Sequence, residues 1–319
     1  MMADAATATP IAVSVVIITR DNAATLPWCL EPLAAFAEVF VVDSHSTDGT
    51  PERATAWGAT VVPFRWNGGP PKKKQWCLDT LPFAHPWVLY VDADERLTPE
   101  LVAEIAALMV RGPVHAGYFI TGRPVFCGVP LRFGAVNRKL ALLDRRRARF
   151  PPCPDLDLPG LALPGVAGTG EVEGHYQPTV TGTTGRLRHP LWHGDGLPPA
   201  LWFARHNRYS DWEAALAAAG RTETLRIGEG LRRRWLKRLF AALPFRPLMV
   251  FLHSYGLRLG ALDGRAGFDY ALARAFYYWQ IGMKRRYLAA ASSPKGGTVP
   301  LPPVIPPPGR IRGLRRPAP

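Results

Sequence analysis

Through the first third of the chain, apolar residues come in short runs that each break off at an acidic, polar stretch. Val13-Ser14-Val15-Val16-Ile17-Ile18 leads into Thr19-Arg20-Asp21-Asn22, residues 39–42 into Asp43-Ser44-His45-Ser46, and residues 88–91 into Asp92-Ala93-Asp94-Glu95. Runs of this length without alternation suit strands covered on both faces. A further strand is expected over 59–63. Between the runs the spacing changes. Leu26, Leu30, Leu33 and Phe36 predict a helix over 25–37, and a second is expected over 72–81. Thr50-Pro51 and Thr98-Pro99 each read as an N-cap followed by proline at the first helical position, starting helices that run to Trp57 and about Val110. Strand and helix alternate, which predicts a mostly parallel α/β sheet flanked by helices.

The pattern loosens afterwards. Residues 117–150 are mixed, with strand-like pieces at 118–121 and 140–143, and 151–170 is a Pro/Gly-rich stretch expected to form a long loop. Strand-like pieces return over 171–193, a helical pattern begins near 197, and residues 232–288 are basic and aromatic. The last 30 residues, with Pro302-Pro303 and Pro306-Pro307-Pro308, read as an extended tail. No internal repeat is visible.

Composition adds a core and a charge. Of 319 residues, 47% are hydrophobic, enough for a large single domain with an extension. Lys and Arg number 39 against 25 Asp and Glu, a formal charge of +14 that calls for an anionic partner: nucleotide phosphates, nucleic acid or acidic lipid. The run Arg145-Arg146-Arg147 reads as a solvated face. Cys29, Cys77, Cys127 and Cys153 show no metal-ligand spacing and read as reduced thiols of a cytosolic protein. The first ten residues lack the basic and apolar regions of a secretory signal.

The chemistry concentrates at Asp92 and Asp94. On an extended strand, residues i and i+2 share a side, so both carboxylates would aim at one point past the strand's end. Such a pair suits a hard divalent cation, Mg²⁺ or Mn²⁺, carrying bound phosphates. Open α/β sheets place ligands at this carboxyl edge.

SVVIITRDNAATLPWCLEPL, VVDSHSTDGT and WVLYVDADERLTPEL, in that order, resemble the family 2 glycosyltransferases of GT-A fold, in particular bacterial enzymes of lipopolysaccharide core and surface-glycan synthesis. The clear resemblance covers residues 13–110 and continues more weakly to about 215. It implies a GT-A catalytic domain over 1–215, with a donor half about 11–115 and an acceptor half about 116–215. It implies nucleotide contacts from Thr19, Asp21, Asp43, Lys74 and Asp92, with Asp21-Asn22 standing where the family commonly has Asn-Glu. Lys72 and Lys73 are either solvated or part of the same basic patch, and Asp48 and Thr50 are read as capping groups. Asp94 is implied as the direct metal ligand, Asp92 as reaching the ribose or the metal, and His193 as a further metal or diphosphate contact. Glu95, beside the pair, has the alternative of capping the helix that starts near Thr98. The resemblance implies an inverting transfer, which requires a base opposite the leaving group. Glu173 is the choice, with His175 orienting or replacing it and Glu171 on the same face. Arg205 and Arg208, at i and i+3, are expected to clamp the diphosphate.

Residues 216–290 are expected to form a helical extension. Aromatic residues over 266–283, followed by Lys284-Arg285-Arg286, suit the headgroup layer of an anionic membrane. No clean apolar run of spanning length interrupts them. Residues 291–319 form the Pro/Arg-rich tail. Taken together, these features and the resemblance imply an inverting, metal-dependent transferase that moves a sugar from a nucleotide donor, a UDP-sugar, to a membrane-associated glycan or lipid-linked acceptor. It would act in the cytoplasm, peripheral on the inner face of the cytoplasmic membrane. A nucleotidyltransferase would need a glycine-bearing loop after the first strand, and Thr19 to Thr25 contains none. A nucleic-acid-binding module would explain the charge but not three acid-tipped strands.

Overall fold

The computed structural model describes residues 9–67, 70–152, 177–194, 198–220 and 245–291, with 235, 239, 240 and 243. Glu171, Glu173, His175, Cys153, Arg232-Arg233-Arg234 and the C-terminal tail lie outside the described residues, as does most of the expected 151–170 loop.

The N-terminal part of the chain is built from β1 (Ile11–Thr19), α1 (Leu26–Leu30), β2 (Phe36–Asp43), α2 (Thr50–Trp57), β3 (Thr60–Pro63), α3 (Lys73–Thr80), β4 (Trp87–Asp92), β5 (Glu95–Leu97) and α4 (Pro99–Arg111). Then come β6 (Gly117–Phe126), β7 (Val129–Pro130), β8 (Asn137–Asp144), β9 (Ala148–Arg149), β10 (Thr179–Val180) and β11 (Thr184–His193). The helices that follow are α5 (Pro199–Ala218), α6 (Arg246–Leu252) and α7 (Gly264–Ala291). The main sheet runs β3-β2-β1-β4-β8-β6-β11-β5, with β7 hung on β6. Its β3-β2-β1-β4 half is parallel, β8 is antiparallel to both its neighbours, and β6 and β11 are parallel to each other. This is the flanked α/β sheet with a helical C-terminal extension expected of a GT-A domain.

The unbroken apolar runs make sense because both faces of the sheet are covered. Val13, Val15 and Ile17 face one core with Val41, Leu89, Leu101 and Ile105. Val16 and Ile18 face the other with Phe40, Val42, Leu78, Tyr90 and Trp212. Successive side chains of a strand point to opposite faces, so one run supplies both cores. Leu89 is fully buried at the sheet's centre. Replacing it with alanine is expected to cost about 2–5 kcal/mol, read from the urea unfolding midpoint.

Three local expectations change. The helix expected over 25–37 stops at Leu30, continues as a 3₁₀ turn (Glu31–Ala35), and gives way to β2 at Phe36. Pro32 lacks the N–H that an α-helical ladder would need. Thr50 is the first residue of α2 and not its cap; the cap position belongs to Gly49, whose φ of 88° suits glycine. The Thr98 cap holds, its hydroxyl accepting from Leu101 N at 3.2 Å. Finally, Lys72 and Lys73 are buried, Lys73 lying 5.5 Å over the Phe64 ring.

The arginine run follows its expected place at the surface. Arg146 is mostly exposed and pairs with Asp144 at 2.8 Å, and Arg147 donates to Thr181 O at 2.7 Å. Among the described cysteines, Cys29 and Cys77 are buried and Cys127 is exposed.

Candidate active site

Strand register gathers the acid-tipped ends. Thr19 lies level with Asp43 on β2, and Ile18 lies level with Asp92 on β4. The carboxyl ends of three neighbouring parallel strands therefore open on one edge.

At the β1–β2 corner the two chain ends are tied together. Thr19 Oγ1 donates to Asp43 Oδ1 at 3.0 Å, and the backbone N–H and hydroxyl of Ser46 donate to the same carboxylate at 2.8 and 2.5 Å. Asp21 takes a left-handed backbone with φ of 52°. Its carboxylate accepts from Thr47 N at 2.9 Å, and its N–H donates to Ser46 Oγ at 2.8 Å. Asp48 accepts from Ala23 N and from both the N–H and hydroxyl of Thr50. It thus pins the loop after β1 to the start of α2, a positional role in keeping with the capping expected of it. Asp43 is nearly buried while Asp21 is about half exposed, so the corner offers a deep and a shallow carboxylate.

The β4 edge differs from the extended geometry expected. The strand stops at Asp92 and turns through Ala93-Asp94 before β5. Asp92 and Asp94 consequently meet different partners. Asp92 lies 3.6 Å from Lys74 Nζ and 3.2 Å from Lys139 Nζ. Asp94 lies 2.9 Å from the Arg205 guanidinium on α5 and 3.9 Å from His193 Nε2 at the end of β11. Arg208 is exposed on the same helix. The structure therefore turns one member of the expected arginine pair toward the edge and leaves the other in solvent.

Glu95 is the group whose role changes most. It is not a helix cap. Its carboxylate is buried, accepts from Asp92 N at 2.9 Å, pairs with Lys139 and lies 3.8 Å from His193 Nδ1. It buttresses the turn that presents both aspartates. Burial opposes the charged form of Asp92, but Lys139, Lys74 and His193 together overcome it and hold the carboxyl far below the usual range. For Glu95 burial wins over Lys139, and its carboxyl is raised. For Lys139 burial is overcome by Asp92 and Glu95, and the ammonium is held above its usual value. The site thus keeps a fixed negative charge at Asp92 and a fixed positive one at Lys139. Burial, then Glu95 and Asp94, also push the Cys29 thiol well up, so it stays protonated behind the turn, donating to Asp92 O at 3.6 Å.

Lys74 is positioned by β4 itself: the Tyr90 hydroxyl donates to Lys74 O at 2.8 Å, tying the first turn of α3 to the strand. Lys74, Tyr90, Asp92, Asn137, Lys139 and Gln177 line a small open pocket beside this turn.

Thr19, Asp43, Lys74, Asp92, Asp94, His193 and Arg205 therefore lie on or beside one edge, and Asp21 on its rim. Lys139 is the residue missed from sequence. It is the third residue of β8, one position before the apolar run that marked the strand, and nothing near it in sequence announces its partners. Among the described residues, no three His, Cys, Asp or Glu side chains are placed to hold a metal ion. Asp94 and His193, 3.9 Å apart, supply a carboxylate and an imidazole, two protein ligands at most. That set fits Mg²⁺ or Mn²⁺ when diphosphate and water complete the shell.

Residues 14–154 match the sequence profile of glycosyl transferase family 2. The chain is 28% identical over 280 residues to the lipopolysaccharide core biosynthesis glycosyltransferase LpsC of Rhizobium meliloti, an alignment covering 85% of this chain and 90% of that protein. It is 39% identical over 94 residues to an uncharacterized glycosyltransferase of Rickettsia bellii, covering 29% and 31% of the two chains. Among solved structures, S. aureus TarS 1-349 is similar at 16% identity and TM-score 0.37, covering 85% of this chain and 91% of that one. The Mycobacterium tuberculosis glucosyl-3-phosphoglycerate synthase in complex with Mn²⁺, UDP and glucosyl-3-phosphoglycerate is similar at 22% identity and TM-score 0.28, over 36% and 43%.

Proposed function

We propose that this chain, whose residues 14–154 match the glycosyl transferase family 2 profile, is a glycosyltransferase that transfers a sugar, with inversion, from a UDP-sugar to a hydroxyl of a lipopolysaccharide-type acceptor at the cytoplasmic face of the membrane. The observation that carries the reading is the convergence of Thr19, Asp43, Asp92 and Asp94 on one sheet edge, ringed by Lys74, Lys139 and Arg205. The acids suit ribose hydroxyls and base N–H groups, and the cations suit a diphosphate. The relationship to LpsC supports a core-oligosaccharide acceptor. A nearly buried carboxylate at Asp43 suits the N–H of uracil, which supports a uridine donor.

In this reading Asp43, braced by Thr19 and Ser46, takes the base or ribose, and Asp92 the ribose. Asp94 and His193 hold Mg²⁺ or Mn²⁺, which when bound supplies a Lewis acid for the departing diphosphate. Arg205 and Lys74 add fixed positive charge for the same group. The acceptor hydroxyl attacks the anomeric carbon as the bond to the diphosphate oxygen breaks. Nucleoside diphosphate leaves, and the hydroxyl proton passes to a base, for which Glu173, oriented or replaced by His175, remains the choice. One displacement inverts the anomeric centre and leaves no covalent sugar on the protein.

The test is product identity across a panel of nucleotide sugars with Mn²⁺ or Mg²⁺. Metal-dependent release of UDP with transfer or hydrolysis of the sugar is expected. Release of pyrophosphate would assign a nucleotidyltransferase instead. Salt-sensitive binding to DNA without any turnover would assign a nucleic-acid module.

A further inference from the structure

The helical extension carries a surface that catalysis does not use. Along α7, Leu272, Phe276, Trp279, Met283 and Tyr287 recur every three or four residues and are 37–56% exposed. At about 100° per residue they occupy one stripe. The far side of the helix is the packed one: Gly267, Ala271 and Ile281 are buried. Phe276 stacks on Trp279 at 5.4 Å between centroids, and Phe203 of α5 meets Phe276 at 6.2 Å, so the stripe continues onto the neighbouring helix. Leu248, Met249 and Leu252 on α6, with Leu257, Leu259 and Leu262 after it, are exposed as well. A soluble surface seldom leaves so many large apolar side chains together without a partner.

Charge selects the partner. Arg265 and Arg286 lie seven residues before Leu272 and seven after Trp279, so they fall on the same stripe at its two ends. Residues 245–291 hold seven Lys and Arg against two Asp; Arg265 pairs with Asp269 and Lys284 with Asp211, so Arg285 and Arg286, both exposed, carry the charge at the end of the stripe. A second copy would oppose this cationic face with its own. The chain's last segment, 292–319, carries five Lys and Arg and no acid, so it is repelled too. An anionic lipid surface satisfies both features, taking aromatic and aliphatic side chains at the headgroup boundary and arginine at phosphates. No described helix is long and apolar enough to cross a membrane, and a one-sided stripe suits an in-plane contact.

We propose that the α7 stripe, continued by Phe203 and the exposed leucines of α6, is the face by which this protein lies on an anionic bilayer. The same helical block is tied to the catalytic half. Asp263 accepts from Arg132 N and Phe133 N at 3.1 and 2.8 Å, and Ser254 Oγ accepts from Ala135 N at 3.2 Å. These bonds hold the segment that leads directly into Asn137 and Lys139. Docking through α7 therefore sets the orientation of the pocket toward the bilayer. This deepens the proposed reading, whose acceptor lies at the membrane, by naming the docking face, and it is argued from the α7 surface.

The test is flotation of the full chain with phosphatidylcholine vesicles, with and without phosphatidylglycerol. The wild type is expected to float with the anionic vesicles and stay behind with the neutral ones. Trp279→Glu, at an exposed site, should lower the floating fraction about tenfold with an unchanged melting temperature, and Arg286→Glu should weaken it while leaving the apolar stripe intact. If Trp279→Glu fails to fold, Arg286→Glu decides. Three results would overturn the proposal: wild type remaining at the bottom with anionic vesicles at low salt, folded variants floating like wild type, or a wild-type dimer that Trp279→Glu dissolves, which would assign the stripe to a second copy. Vesicle-free UDP-sugar hydrolysis is read in parallel, so loss of docking and loss of catalysis remain separate results.

Discussion

Asp94→Asn is expected to lower metal-dependent kcat/KM by at least about a hundredfold, roughly 2.7 kcal/mol of transition-state stabilisation. The substitution keeps shape and removes one charge. Asp94 lies at the turn after β4, 2.9 Å from Arg205 and 3.9 Å from His193, with the β11 end tied to it by Gly194 N donating to Asp94 O at 2.8 Å. That backbone bond survives the change, so the turn should keep its form and the melting temperature should move little. A drop in turnover together with weakened Mn²⁺ binding in the presence of UDP places the ion at this carboxylate. Turnover within about threefold of wild type, at unchanged Mn²⁺ dependence, removes Asp94 from the chemistry.

Lys139→Met is expected to cost about 3–5 kcal/mol of stability, because it strands the buried Glu95 carboxylate and one side of Asp92 without their cation. The pH dependence has a definite sign. With Lys139 gone, burial raises the Glu95 carboxyl further above its unfolded value of about 4.3. A raised folded value means stability that is present at low pH and lost as pH rises through that value. The loss caused by Lys139→Met should therefore be smaller at pH 5 than at pH 8 in urea unfolding. Replacing both partners, Lys139→Met with Glu95→Leu, should recover much of it, since neither charge is then buried alone. Equal losses at both pH values would separate Glu95 from Lys139.

How much of this was visible beforehand varies with the kind of interaction. The strands of the first hundred residues were legible to within a few residues because burial on both faces forces uninterrupted apolar runs, which are hard to mistake when each ends in acid. The shared edge of Thr19, Asp43 and Asp92 followed from parallel register. Helix α1 was overextended because Leu33 and Phe36 keep helical spacing, whereas Pro32 and the pull of Phe36 into β2 decide the backbone. Asp92 and Asp94 were paired as if on a straight strand; the turn at Ala93-Asp94 separates their partners. Lys139 and the buried role of Glu95 were out of reach because they depend on β8 entering the sheet antiparallel beside β4, which brings Lys139 to Glu95 across 44 positions. The α7 stripe was read only as aromatic and basic composition. Which of those aromatics remain outside depends on the packing of α7 against α5 and α6.

The most direct test is a crystal structure of the protein with Mn²⁺ and UDP. The account predicts the uridine against Thr19 and Asp43, the diphosphate between Lys74 and Arg205, and the ion touching Asp94. UDP bound at any other surface, or an ion held by residues away from the β4 turn, would contradict it.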